Sequence, residues 1–589
     1  MLTWRMATGF EASRNRERRV CEVSVKQVDF RIETRRFLPM LGAVRSFPLI
    51  LVLIVAFTAG CGVDRAEKAA DDNILIVGNG GEPKALDPGQ VQSVGDSNIM
   101  LALFEGLVNY HISDDNLHQP GVAQSWESND DFTVWTFYFR GGEHEGLPKM
   151  EPAKWSNGDI VKAGDFVFAY KRTLSPKYAS PYASMLYFLK NAQDFNEGTI
   201  TDFAEVGVKA LDDFTLECRL RSPTAFFPGV VKHQTWNPVH PPTIEKFGDF
   251  DDKYTPWQRP GNHVGNGPFQ LKSWRINDKV VVERNPHYWG ADKVKLNEIW
   301  YIPADTYTEE RMFRDGSIHM TYILPPTLID YYRKNYPEFL REEPYSGSYF
   351  YRCNINEPPL DDPKVRRALT LAIDREKIVK FVTRGGQLPA TAFTPPIEGV
   401  YYPPDLVRFD PEEARRLLAE SKYGTNLPKF ELLINTSEQH RKIAEAIQDM
   451  WRKNLDLDPG TISINNQEWK VFQVTTFEKK YEMARAGWIA DYVDPTTFLD
   501  MWRTGDSNNN TNWGSEKYDS LLKKAALEQD ADQRLKVLYQ AEEVLLEELP
   551  IIPIYWYTRV YALNPRVKNW HPLVLDKHDY KQIYFDPAD

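Results

Sequence analysis

Cysteine is scarce, with 4 in 589 residues, and no two stand in the short spacings that hold zinc or run thiol exchange. The eleven histidines are dispersed; His233 and His240 lie close in sequence, but Pro238 breaks any shared helical face. No metal site and no cofactor are therefore expected. The chain also lacks H-E-x-x-H, G-x-S-x-G and Walker-type sequences, so the common hydrolytic and nucleotide chemistries have no residues to run on. Gly78-Asn-Gly-Gly81 resembles a phosphate loop, but Glu82-Pro83 follows where a helix N-terminus would have to receive the phosphate. With 83 acidic residues, accidental carboxylate pairs are guaranteed, and no acid–base couple can be singled out. No catalytic residue is assigned. Internal repeats and low-complexity linkers are missing too, so the units of this long chain are expected to pack closely.

Long apolar runs are lacking with one exception. Ser46–Gly60 is apolar, follows Arg45 and ends in small residues before Cys61. It is short for a membrane span and reads as the core of a secretory signal over 1–60, with a true start at Met40 possible. A single transmembrane anchor is the alternative. The Thr58-Ala-Gly-Cys61 ending resembles a bacterial lipobox, although Thr58 departs from the usual Leu or Val; it implies lipidation of Cys61. The polar stretch 61–72 then reads as a lipidated tether. Residues 1–60 hold 10 basic and 5 acidic residues, so the remainder carries 61 Lys and Arg against 78 Asp and Glu, a net charge of −17. Such a balance argues against nucleic acid as a partner. The mature body keeps Cys218 and Cys353, which could pair or stay free.

What is present is an ordinary globular composition, 42% hydrophobic and 26% charged, with aromatics high at 13%. Strands are expected at Asn73–Val77, Thr133–Phe139, Phe214–Leu220, Lys279–Glu283 and Pro550–Tyr557. Helices are expected after Ala163, after the Asp362-Pro363 and Asp410-Pro411 starts, after Ser437, and over Asp532–Leu549. Interleaved helices and strands indicate an α/β class. Arg485-Ala-Gly-Trp488-Ile-Ala-Asp491 sets a cation and an anion six residues apart in an apolar run. In an extended strand such residues share a face about 20 Å apart, the length of a short peptide with its charged ends. Two unrelated charges on a solvated strand would look the same.

Several segments together carry a resemblance. They are Gly121-Val-Ala-Gln-Ser-Trp126, Trp135–Arg140, Lys154-Trp-Ser-Asn-Gly158 with Ala163–Phe168, and Asn266-Gly-Pro-Phe269 before Val282–Trp289. Val365-Arg-Arg-Ala-Leu369 with Ala372-Ile-Asp-Arg375, Asn466-Gln-Glu-Trp469, and the 485–491 stretch with Ser507–Asn510 behind it complete the series. In this order they resemble family 5 of the bacterial extracellular solute-binding proteins, and within it the oligopeptide-binding type that feeds ABC importers.

The resemblance implies a two-lobed periplasmic-binding-protein-like clamp of class II type with an extra domain. Domain I would be discontinuous (73–93, 218–345 and 560–589), domain II would span 94–217 and domain III 346–559. It implies a lipid-anchored, extracytoplasmic monomer that binds short peptides as an added strand, delivers them to an ABC permease and has no catalysis of its own. By resemblance, Asp491 takes the peptide ammonium, while Arg485 and His440 meet the carboxylate of peptides of different lengths. Tyr182 and Tyr322 line the cleft, Trp469 and Trp488 wall side-chain pockets, and Gly487 and Ile489 belong to the same binding strand. His440 and the two tyrosines could instead be plain core residues. Close relatives bridge two cysteines where Gly347 and Ile489 stand, and carry a lysine at Thr383, beside Arg384, and an acid at Gln92. The same fold could alternatively take a dipeptide, a muropeptide or a metal chelate; a secreted hydrolase is the reading from another class.

Overall fold

The computed structural model describes residues 65–506 and 508–587; the expected signal segment and Cys61 lie outside them. The stretch expected to be a tether is helical for most of its length. Helix α1 (Arg65–Asp71) buries Ala66, Ala69 and Ala70, and this small apolar face lets its backbone approach the body. Ala66 N donates to Gly316 O at 2.8 Å, His319 Nε2 lies 2.8 Å from Ala66 O, and Arg566 clasps both Glu67 and Asp71.

Strand β1 (Ile74–Gly78) follows, and the chain then leaves to build elsewhere. Helix α2 (Val94–Leu103) starts where Ser93 Oγ accepts from Asp96 N at 3.1 Å. β2 (Ala123–Ser128), β3 (Val134–Phe139), β4 (Val208–Asp212) and β5 (Thr215–Arg219) form an antiparallel sheet in the order β2-β3-β5-β4, with α3 (Ala163–Leu174) between β3 and β4 in sequence. The expected boundary at 217/218 falls inside β5, so Cys218 belongs with this second sheet. β6 (Phe269–Arg275), β7 (Lys279–Arg284) and β8 (Glu298–Ile302) then return to complete the first sheet, β1-β8-β7-β6, with β1 parallel to β8. One continuous apolar core joins the two sheets.

The third sheet comes from the second half of the chain. Its elements are β9 (Leu340–Cys353), α4 (Pro363–Leu371), β10 (Leu388–Pro389), α5 (Pro411–Ala419), β11 (Phe430–Asn435), α6 (Glu438–Asn454), β12 (Ile462–Gln467), α7 (Trp469–Phe477), β13 (Met483–Ile489), α8 (Ala531–Glu548) and β14 (Ile551–Ala562). The strand order is β10-β14-β9-β13-β11-β12. The caps read from sequence are made: Asp362 accepts from Lys364 N, Asp410 from Glu413 N and Ser437 from His440 N. α6 then buries Ile443, Ala444, Ile447 and Trp451 along one stripe. Each large side chain in it stabilises the sheet by roughly 1.5–3 kcal/mol relative to exposure.

Two features of this sheet place the site. β11, β12 and β13 run parallel, so their carboxyl ends share one edge, where ligands gather in α/β sheets. β9 and β14 are long antiparallel partners, paired from Leu340↔Ala562 to Arg352↔Ile551, with register shifts between Pro344 and Ser348 and between Tyr349 and Phe350. Their outer halves join the segment that precedes β9: Thr321 N donates to Ala562 O at 3.0 Å and Leu324 N to Val560 O at 2.9 Å. Both expected boundaries, 345/346 and 559/560, fall inside these strands, because the paired strands themselves form the passage between the parts.

Candidate functional site

β13 presents Met483, Arg485, Gly487 and Ile489 on one face by its period of two. Across from them on β9 stand Tyr351, Tyr349 and Gly347, and Tyr555 of β14 pairs with Tyr349. Arg485 therefore lies on a tyrosine floor. Its Nη2 donates to Tyr557 Oη at 3.0 Å, and its guanidinium sits 4.9 Å from the Tyr349 ring, itself stacked on Tyr555 at 4.7 Å. Among the described residues no carboxylate comes within salt-bridge distance of Arg485, and its Nε is buried without a partner. His440 stands in the first turn of α6, with Nδ1 3.4 Å from Tyr349 Oη. Burial, and then the charge of Arg485, hold its pKa well below the ordinary value, so it is neutral.

Gly487 has no room for a side chain: a Cβ there would lie 2.6 Å from Tyr557 Oη and 3.2 Å from Arg485 Nη2. Ile489 faces Gly347 in register, and a Cβ on Gly347 would come within 2.5 Å of Ile489 Cδ1. Isoleucine packed over glycine thus closes this point of the strand pair without a side chain on β9. Cys218 and Cys353 are free and buried.

Asp491 is not on the strand. β13 ends at Ile489, and the backbone turns so that Asp491 N donates to Thr497 Oγ1 at 3.0 Å. The expectation of two charges on one strand face is corrected there: Asp491 belongs to a second set of partners. Its carboxylate lies 3.6 Å from His233 Nε2 and is 14% exposed. Burial pushes its pKa up to about 7, with Lys577 pulling the other way. Burial, then Lys577, lowers His233 to about 3, so this contact joins a carboxylate to a neutral ring rather than to a cation. Tyr182 packs against His233 at 5.2 Å between centroids, and the charge of Asp491 is the main cause raising its phenol pKa.

Three other predicted residues stand apart from the charges. Trp488 points to the opposite face of β13 from Arg485, among Ala486, Ala490, Phe498 and Trp502, and its Nε1 donates to Thr497 O at 2.7 Å. It thereby braces the turn that carries Asp491. Trp469 opens α7, is 43% exposed and stacks on Phe472 at 5.8 Å. Tyr322 packs over the loop after β1: its N donates to Glu309 Oε2 at 2.6 Å, and the Arg559 guanidinium lies 4.7 Å from its ring. Thr383 is turned inward onto Gln387 at 2.8 Å, and Arg384 is exposed with Asp330 at 3.8 Å.

Sequence reasoning missed several neighbours. In the sequence His233 stands out only by its nearness to His240. Tyr555 and Tyr557 were visible as same-face residues of an expected strand, but nothing marked them as the floor beneath Arg485. Lys577 carried no signal. Among the described residues no group of three or more His, Cys, Asp or Glu is placed to hold a metal, and no helix is long and apolar enough to cross a membrane.

Two parts joined by a pair of long strands, with unpaired opposite charges set deep where they meet, define the class of two-lobed solute-binding clamps. The comparisons narrow this class. The family model described as bacterial extracellular solute-binding proteins, family 5, matches residues 118–510. The chain belongs to that family. It is 38% identical over 532 residues to the periplasmic oligopeptide-binding protein OppA of Salmonella typhimurium, covering 88% of this chain and 94% of that one. Among solved structures it is similar to the Escherichia coli murein tripeptide binding protein MppA, with TM-score 0.78 and 31% identity over 87% of this chain and 99% of that one. It is also similar to Haemophilus influenzae OppA in complex with RPPGFSPFR, with TM-score 0.77 and 34% identity over 87% and 99% of the respective chains. The fold is accordingly that family's two-lobed α/β clamp.

Proposed function

We propose that this protein captures short peptides in extended form outside the cytoplasm and hands them to the permease of an ABC importer. The observation that carries the reading is electrostatic. Asp491 and Arg485 stand at the two ends of one short segment, both largely buried, and among the described residues neither meets a cation or carboxylate at salt-bridge distance other than the neutral His233. Leaving such groups unpaired is costly, and a zwitterionic ligand supplies both missing partners at once. In this reading Asp491 takes the α-ammonium. Arg485 takes the carboxylate, with neutral His440 and Tyr557 beside it as hydrogen-bonding groups. Gly487 lets Tyr557 Oη and Arg485 Nη2 lie close over the strand, with Ile489 next to it. Tyr182 and Tyr322 line the cleft, and Trp469 and Trp488 wall side-chain pockets. The names of the relatives, OppA among them, support a peptide ligand.

The rest follows the same line. The protein holds peptide rather than cutting it, works as a monomer, and is lipid-anchored through Cys61, with domain I formed by segments 73–93, 218–345 and 560–589. Because α1 already docks from Arg65, such an anchor would keep the body close to the membrane. A second reading, a murein peptide, is favoured by the similarity to MppA. Mass spectrometry of the ligand released from purified protein by denaturation tests both. A mixture of ordinary peptides of a few residues is expected; a peptide containing a diamino acid would favour the second reading. A non-peptide ligand would overturn both.

A further inference from the structure

The segment after β14 returns beside Asp491 as a strap, and it carries a half-buried charge that the peptide reading does not use. Val574 O accepts from Ser346 N at 2.7 Å, and Leu575 N donates to Asp115 Oδ2 at 3.1 Å. Asp576 is saturated, with Arg559 Nε at 2.7 Å and His578 Nε2 at 3.0 Å. Lys577 comes next. Its Nζ donates to Ser97 Oγ at 2.5 Å, and Ser97 Oγ donates to Gln234 Oε1 at 3.0 Å, which sets the ammonium beside the His233–Gln234 segment. His233 is the residue that touches Asp491.

Counting charges around this point gives a balanced set. Arg559 answers Asp576. Lys232, with Nζ on Asp115 O at 2.9 Å, answers Asp115. Asp491 and Lys577 remain, each within electrostatic reach of the other, and both keep part of their surface open. Tyr110, Tyr182, His233 and Tyr492 complete the surroundings of Asp491 and bring no charge of their own. A ligand ammonium placed on Asp491 therefore leaves Lys577 as an excess half-buried cation. A second cation on the same ligand residue worsens the excess, and a carboxylate there removes it.

We propose that Lys577 makes the amino-terminal end of the cleft selective for ligands that carry an acidic group next to their ammonium, as a peptide beginning with Asp or Glu does. This rests on Asp491 being the ammonium anchor. Lys577 is then a specificity-determining residue whose effect falls on the first side chain and not on the peptide backbone.

The test is calorimetry on protein freed of endogenous ligand by unfolding and refolding, with Glu-Ala-Ala, Ala-Ala-Ala and Lys-Ala-Ala. The wild-type protein should bind Glu-Ala-Ala at least about tenfold more tightly than Lys-Ala-Ala, since like charges in a poorly solvated site repel strongly. In Lys577→Met that ratio should fall towards one or invert, whereas Lys577→Arg should keep it. A purely structural role for Lys577 would weaken all three peptides by one factor and leave the ratio intact, which would overturn the proposal. So would a wild-type protein that binds Lys-Ala-Ala as tightly as Glu-Ala-Ala, a result that needs no variant to fold. The same series on Asp491→Asn separates the two claims: if Asp491→Asn leaves every affinity unchanged, the anchor assignment fails. If it weakens all three while Lys577→Met leaves the ratio intact, only the selectivity fails.

Discussion

At the scale of single residues, the account turns on what burial does to Asp491. Its carboxyl ionises at about 7, raised by desolvation against the pull of Lys577. In the unfolded chain the same group ionises near 4, so between about pH 4 and 7 the folded state holds a proton that the unfolded state releases. Stability from this group falls as pH rises across that window, and above it the loss is complete, at about 4 kcal/mol at most. Asp491→Asn should therefore raise the urea midpoint of the ligand-free protein at pH 8 and leave it nearly unchanged at pH 4. Equal effects at both pH values would contradict the assignment. If Asp491 is the ammonium anchor, the same proton blocks it, so tripeptide affinity should decline between pH 7.5 and 5.5, and Asp491→Asn should flatten the profile. His440 contributes differently: neutral at these pH values, it offers a hydrogen bond and no charge.

At the scale of elements, β13 is held against β9 by its antiparallel ladder and by the close packing of Ile489 over Gly347. Gly347 would need its Cβ 2.5 Å from Ile489 Cδ1 and 2.9 Å from both Trp488 O and Tyr557 Cδ2. Gly347→Ala should thus lower stability by about 1–3 kcal/mol in urea titrations, the usual cost of overpacking. No change would mean that the strand pair yields freely. Much of this level was legible beforehand, because caps and periodicity are local: Ser437, Asp362-Pro363 and the alternation at Val134–Phe139 each announce their element. The α1 helix was not, because Arg65–Asp71 is polar apart from its alanines and is held by His319 and Arg566, hundreds of residues away. The strand end before Asp491 was missed for a similar reason, since an even spacing in sequence does not reveal where Thr497 turns the backbone. Charge partners such as Lys577 and His233 are brought in by topology, and nothing local marks them.

At the scale of the molecule, β9 and β14 run from one part into the other, with one of their two register shifts at Pro344–Ser348, where the strap hydrogen-bonds to Ser346. In the proposed reading a ligand held at Asp491 and Arg485 would bridge both halves of the chain, because Asp491 lies against His233, with Tyr182 packed on that ring, and Arg485 against Tyr557. Binding should then favour the closed arrangement. At a hundredfold excess over Kd, peptide should add about 2.7 kcal/mol of stability, seen as a raised melting temperature. An unchanged melting temperature would mean that the peptide does not engage the folded clamp.

The most direct measurement is calorimetric titration of an unmodified tripeptide and its N-acetylated form into wild-type protein and Asp491→Ala. With Asp491 as the ammonium anchor, Asp491→Ala should weaken the unmodified peptide by roughly 3–5 kcal/mol, the usual cost of breaking a buried ion pair. N-acetylation should weaken wild-type binding comparably and add little in the variant. Full affinity of Asp491→Ala for the unmodified peptide would contradict the account.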